Sequence, residues 1–198
     1  MDYIIILQAF WFIIPSYVAN ASAKLLGGGL PLDFGKKWKD GKRILGDGKT
    51  WRGLFFGAFI GMIAGFGLVV AAYYISRSEY GFLNLSDFEG FPFMIPIIFS
   101  LCFGALVGDT VESFFKRRIG KNRGEDWFFF DQVDFIAGAL FFNFLFSGLL
   151  HITGLLNVNW FIENFTIWHI LFLFIITPFI HLTANFLHTK LDSKNKKD

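Results

Sequence analysis

Five unbroken apolar stretches constrain this chain more than any other feature of it. A bilayer-spanning helix needs about 20 predominantly apolar residues, and runs of that kind fall at 3–26, 53–76, 93–115, 132–153 and 166–188. Composition agrees with that pattern. Charged residues make up 17% of the chain, against roughly 25% in a soluble domain. Its 29 phenylalanines are more than one soluble core of this length buries, and the mean hydropathy is +0.51. The lone cysteine, Cys102, lies inside an apolar run and has no internal partner for a disulfide. The expected fold class is therefore an all-α integral membrane protein. A bundle of five transmembrane helices forms a single membrane-embedded domain over 1–198.

Charge gives the bundle an orientation. Loop 27–52 carries Lys36, Lys37, Lys39, Lys42, Arg43, Lys49 and Arg52; loop 116–131 carries Lys116, Arg117, Arg118, Lys121 and Arg123; the tail carries Lys190, Lys194, Lys196 and Lys197. Sixteen of the 18 basic residues thus fall on one side, and Arg77 stands alone on the other. The positive-inside rule puts both basic loops and the C-terminus in the cytoplasm and the N-terminus outside. The first segment has no basic residue before Lys24 and an apolar run too long for a signal peptide, so it reads as a permanent span.

Within the second span, Gly53, Gly57, Gly61 and Gly65 recur every four residues. Such a ridge lets another helix approach closely in lipid, and it also offers a shallow groove for a lipid chain. The four histidines show no metal-ligand spacing and read as packing residues.

Chemistry concentrates at the cytoplasmic end of the third span and just beyond it. Asp109, Glu112, Ser113 and Lys116 share one helix face, with Arg117 and Arg118 beside them. After the loop come Asp131 and Asp134, neighbours at i,i+3, with Gly138 continuing their face. Ionisable residues at the edge of apolar sequence are expensive and point to function. Asp109, Asp131 and Asp134 near one point would repel one another unless a divalent cation holds them. Oxygen-only ligands favour Mg²⁺. A salt-bridge network with the neighbouring lysines and arginines is the structural alternative.

The first loop adds phosphate-binding character. Gly27-Gly-Gly-Leu-Pro-Leu-Asp33 breaks the first helix, and Asp40-Gly-Lys42-Arg43 and Gly46-Asp47-Gly-Lys49-Thr50-Trp-Arg52-Gly53 follow. Gly48-Lys49-Thr50 is not a P-loop, because position 43 is arginine where that motif needs glycine and a polar loop precedes it in place of a strand. A glycine-flexible loop remains, whose N–H groups, lysines and arginines can wrap phosphates before a helix N-terminus.

The run Asp109-Thr-Val-Glu-Ser113-Phe-Phe-Lys116-Arg117-Arg118, followed by Asp131-Gln-Val-Asp134, resembles the signature of membrane CTP:phosphatidate cytidylyltransferases. With Pro31-Leu-Asp33, the segment from Asp40 to Gly53 and the five-span layout, the chain is more similar still to the archaeal CDP-archaeol synthase family. Gly124-Glu-Asp-Trp-Phe-Phe-Phe130 stands where bacterial and eukaryotic relatives carry other elements, which favours the archaeal branch.

The resemblance implies that CTP and a geranylgeranyl-ether glycerol phosphate lipid give CDP-archaeol and pyrophosphate. It implies catalytic roles for Asp109, Ser113, Lys116, Asp131 and Asp134, with Mg²⁺ on the three aspartates and K⁺ as a candidate second ion. The expected CTP- and phosphate-binding residues are Asp33, Lys42, Arg43, Asp47, Lys49, Thr50, Arg52, Arg117, Arg118 and Arg123. Partners are the membrane, the nucleotide and the lipid, with no nucleic acid; nothing in the sequence sets an oligomeric state. The rival readings are a diacyl phosphatidate cytidylyltransferase, a CTP-dependent lipid kinase and a small cation transporter. The transporter would place its acids near the bilayer midplane, where this chain has almost none.

Overall fold

The computed structural model describes residues 3–122, 125, 127 and 129–180. Among the described residues four helices are long and apolar enough to cross a membrane: α1 (Tyr3–Leu26), α2 (Trp51–Ile75), α3 (Met94–Arg118) and α4 (Phe130–Ile152). At about 1.5 Å per residue each spans roughly 35 Å, enough for a hydrocarbon core of about 30 Å with modest tilt. A five-residue helix, α5 (Trp160–Asn164), and an apolar helix shorter than these four, α6 (Ile167–Ile180), follow. The sequence reading placed a fifth span at 166–188; α6 covers its first part, and 181–188 lies outside the described residues. α5 was not expected, since its turn begins only where the Asn159 side chain caps the N–H groups of Phe161 and Ile162.

The glycine ridge is filled by protein. α1 packs along α2, and α3 along α4. A Cβ at Gly57 would lie 2.8 Å from both the Ala19 carbonyl oxygen and Ala23 Cβ; one at Gly61 would meet Ala19, Cys102 and the Pro15 carbonyl at 2.7–2.8 Å. Gly65 meets Ile98 in the same way. The lipid-groove expectation for this ridge is therefore corrected: α1 and α3, packed closely against the glycines through backbone and side chains, close it. The opposite face of α2 turns Phe55, Phe59, Ile63, Val70 and Tyr74 outward.

A second glycine contact brings the chemistry-bearing helices together. Gly104 and Gly108 of α3 face Gly138 of α4, so closely that a Cβ at Gly138 would run into the Gly104 carbonyl and the Gly108 backbone. Deeper in the bundle, Ser16 donates to the Leu101 carbonyl at 3.0 Å, and Asn143 donates to Ser100 Oγ at 2.8 Å and the Ile97 carbonyl at 3.2 Å. Tyr17 and Thr177 share a 2.7 Å hydrogen bond that ties α6 to α1.

Candidate active site

The C-terminal ends of α1 and α3 and the N-terminal ends of α2 and α4 meet at one end of the bundle. The first loop folds back over them. Its conformation is organised around Asp33, whose side chain is fully buried. One Asp33 oxygen, Oδ1, accepts from the Gly35 N–H at 3.0 Å and Arg43 Nη2 at 2.8 Å. The other, Oδ2, accepts from the N–H groups of Leu45 and Gly46 at 2.9 and 3.1 Å and from Arg43 Nε at 3.3 Å. Burial opposes ionisation here, but Arg43 and the three N–H groups outweigh it and hold this carboxyl well below the usual carboxylate range. Asp33 raises the Arg43 pKa above its ordinary value in return, helped by Asp47 at 2.6 Å.

Thr50 secures the far end of the loop. It is buried, and its Oγ1 accepts from the N–H groups of Gly28 and Gly53 at 3.2 and 3.1 Å, capping α2. The backbone closes between them through Leu32 N–H to the Lys49 carbonyl at 2.8 Å and Trp51 N–H to the Leu30 carbonyl at 3.1 Å. The flexible phosphate-wrapping loop expected from sequence is thus a folded strap. The N–H groups of Gly35, Leu45 and Gly46 serve Asp33, so Asp33 and Thr50 are structural residues of the strap and their polar atoms face the protein.

Beneath the strap lies a polar cavity of about 380 Å³. Lys24 lines it from α1; Leu45 and Asp47 to Lys49 from the strap; Asp109, Glu112, Ser113, Lys116 and Arg117 from α3; and Asp131 and Asp134 from α4. All five residues expected to be catalytic therefore share one wall system. Lys49 donates to Asp109 Oδ2 at 2.5 Å. Lys116 donates to both oxygens of Asp131 at 2.8 and 2.7 Å, and the Trp127 N–H adds a third donor at 2.8 Å. Arg117 donates to the carbonyls of Leu45 and Lys121, tying α3 to the strap.

Other expected phosphate ligands are placed elsewhere. Lys42 and Arg43 line a neighbouring cavity of about 390 Å³ with Asp47, Arg117 and Lys121. Arg118 turns away to Asp40 at 2.9 Å and to the Arg43 carbonyl, over the Phe114 ring. Arg52 is exposed on the first turn of α2 and does not line the polar cavity. Arg123 lies outside the described residues.

Two charged residues of the polar cavity are not among the expected site residues. Glu112 is buried, its Oε1 lying 3.8 Å from Lys116 Nζ without a hydrogen-bond partner. Its signal was its place on the Asp109 face. Lys24 was detectable only as the single basic residue in the last turn of α1.

Asp109, Asp131 and Asp134 do not converge as a ready ligand set. Among the described residues no three acids, histidines or cysteines do, and lysine ammonium groups take oxygens of Asp109 and Asp131. The donor chemistry nonetheless suits a hard cation. Asp134 Oδ1 accepts from the Phe135 N–H, while its Oδ2 and Glu112 Oε1 are buried without a hydrogen-bond partner, and such oxygens carry a desolvation penalty that a bound cation removes.

A second cavity adjoins the first. This apolar groove of about 680 Å³ between α3 and α4 is lined by Val107, Val111, Phe115, Val133, Ala137 and Phe141 among others. Glu112 and Asp134 belong to both cavities.

Comparison with known proteins bears on this arrangement. The CarS-like family model, CDP-archaeol synthase, matches residues 2–197. The CDP-archaeol synthase of Pyrococcus horikoshii is 40% identical over 96% of this chain and 95% of its own length. That of Methanocorpusculum labreanum is 43% identical over 92% and 98%. A solved structure of an intramembrane enzyme for archaeal membrane lipid biosynthesis superposes with a TM-score of 0.68 at 30% identity, covering 91% of this chain and 94% of that one. A polar cavity beside an apolar groove at one end of a membrane bundle, together with likeness over nearly its whole length, establishes that the chain belongs to the CDP-archaeol synthase family.

Proposed function

We propose that this chain transfers CMP from CTP to a geranylgeranyl-ether glycerol phosphate, giving CDP-archaeol and pyrophosphate at the cytoplasmic face of the cell membrane. Family membership supports the reaction class. The observation that carries the reading is the shared wall of the two cavities. Glu112 and Asp134 stand where a polar chamber meets an apolar groove, which suits a substrate with a charged head and branched apolar chains.

In this reading a lipid phosphate oxygen attacks the α-phosphorus of CTP, the new P–O bond forms, and the bond to pyrophosphate breaks. The attacking phosphate is already ionised at neutral pH, so no side chain has to remove a proton. Lys24 from α1, Lys49 from the strap, and Lys116 and Arg117 from α3 supply positive charge to the phosphates and lower the barrier by electrostatics. Ser113, buried on the same face, offers a hydroxyl donor. Mg²⁺ on Asp109 and Asp134, with Asp131 beside them, would supply neutralisation of the triphosphate; K⁺ is the candidate for a second position. The apolar groove keeps the chains in the bilayer while the head reaches the cavity.

The deciding experiment follows products from CTP with diether and diacyl lipid phosphates offered in parallel. Pyrophosphate release with preference for the diether is expected. CDP release would make the chain a lipid kinase, and a clear diacyl preference would move it to the phosphatidate enzymes.

A further inference from the structure

The two lysine–carboxylate pairs of the polar cavity are built differently. Asp131 accepts three hydrogen bonds, two from Lys116 on α3 and one from the Trp127 N–H. Asp109 accepts one, from Lys49, a strap residue 60 positions away. Both members of the second pair are largely buried, at 18% and 14% side-chain exposure. The Lys49 backbone is held through its carbonyl by the Leu32 N–H, and Thr50 beside it is pinned by two N–H donors. The four-carbon stem above that fixed point is flexible, and its ammonium is a compact charge that can change partner without moving the chain. Across the cavity, Asp134 Oδ2 is buried and has no hydrogen-bond partner.

We propose that Lys49 is an exchangeable counter-ion: it neutralises Asp109 until a divalent cation takes that carboxylate, and it then turns to the phosphates of the nucleotide that enters with the cation. The proposal rests on the reading of this cavity as a metal and nucleotide site. A small hard cation needs carboxylate oxygens at about 2.0–2.1 Å, and an ammonium 2.5 Å from Asp109 Oδ2 competes for the same oxygen. The cation alone must displace a largely buried ammonium from its carboxylate partner. With the nucleotide present, the displaced ammonium gains a phosphate partner. Metal and CTP binding are thereby coupled, each strengthening the other by the same factor. Lys116 does not share this role, because its ammonium bridges both oxygens of Asp131 and the Trp127 N–H holds that carboxylate as well.

The test measures Mn²⁺ binding to the full chain in detergent by the loss of the free-ion electron paramagnetic signal, with no nucleotide added. Lys49→Met should bind Mn²⁺ about tenfold more tightly than the unaltered chain, a typical size for coupling between two ligands. Lys49→Arg keeps the charge and should bind as weakly as the unaltered chain, which separates lost charge from a general disturbance of the strap. Asp109→Asn should abolish the tighter binding in the Lys49→Met background. Unchanged Mn²⁺ affinity in Lys49→Met, with Asp109→Asn still weakening it, overturns the exchange alone. Absence of saturable Mn²⁺ binding in every form, with or without CTP, overturns the metal reading of the cavity and the exchange with it.

Discussion

Arg43 reaches both oxygens of the buried Asp33 carboxylate, Nη2 to Oδ1 at 2.8 Å and Nε to Oδ2 at 3.3 Å, and Leu45 and Gly46 donate to the same group from just beyond it. One carboxylate therefore sets the path of the strap that carries Asp47 and Lys49 into the polar cavity. Asp33→Ala leaves Arg43 with Asp47 alone and the N–H groups of Gly35, Leu45 and Gly46 without their acceptor, a change that costs about 1–3 kcal/mol. Asp33→Asn preserves shape but loses the charge and weakens the N–H bonds. Both variants should lower the melting temperature in detergent and raise the KM for CTP. A CTP KM unchanged in Asp33→Ala would show that the strap does not position the nucleotide site.

The same pair sets a pH dependence. Because Asp33 has its pKa depressed in the fold, its contribution is fully present above the unfolded-state value of about 3.9 and is lost as pH falls below it. Between pH 5 and 8 the Asp33 contribution should stay constant. Below about pH 4, the melting temperature of the unaltered chain should fall more steeply than that of Asp33→Asn, as read by thermal melts across a pH series.

Glycine contacts differ sharply along the bundle. A Cβ at Gly138 meets the backbone of α3, whereas one at Gly67 on α2 meets nothing within 4 Å. Gly138→Ala should destabilise by about 1–3 kcal/mol or more, since backbone cannot step aside as a flexible side chain does. Gly67→Ala should be neutral or stabilise by up to about 1 kcal/mol through helix propensity. Detergent melts of the two variants, side by side, check the contrast.

The α3–α4 groove predicts a split in kinetics. Ala137 is exposed on its wall, so Ala137→Trp should raise the KM for the lipid phosphate about tenfold, equivalent to 1.4 kcal/mol of lost binding. The KM for CTP should stay near its original value, because the polar cavity is not altered. Equal effects on both substrates would remove the groove from lipid binding.

Orientation is testable by labelling. In a Cys102-free background, a cysteine at position 84 should react with an impermeant reagent from outside, and cysteines at 45 and 121 only after permeabilisation. External labelling at 45 would reverse the cytoplasmic placement of the cavity.

Sequence alone determined the membrane character, the four long helices to within about three residues at each end, and the end of the bundle where the candidate site residues gather. These follow from local quantities: the length of an apolar run, the edge where charge begins, and the i,i+3 and i,i+4 spacings that put Asp109, Glu112, Ser113 and Lys116 on one face. Only the tertiary structure decided which charge meets which. Asp33 reads from sequence as a phosphate ligand and is in fact enclosed by its own strap; Arg118 turns to Asp40; Lys49 crosses to Asp109. The glycine ridge of α2 is equally suited to a lipid or a helix until α1 and α3 are seen to occupy it. Pairing between groups tens of residues apart depends on how the segments meet and on what is left exposed once they have, and neither is written in local spacing.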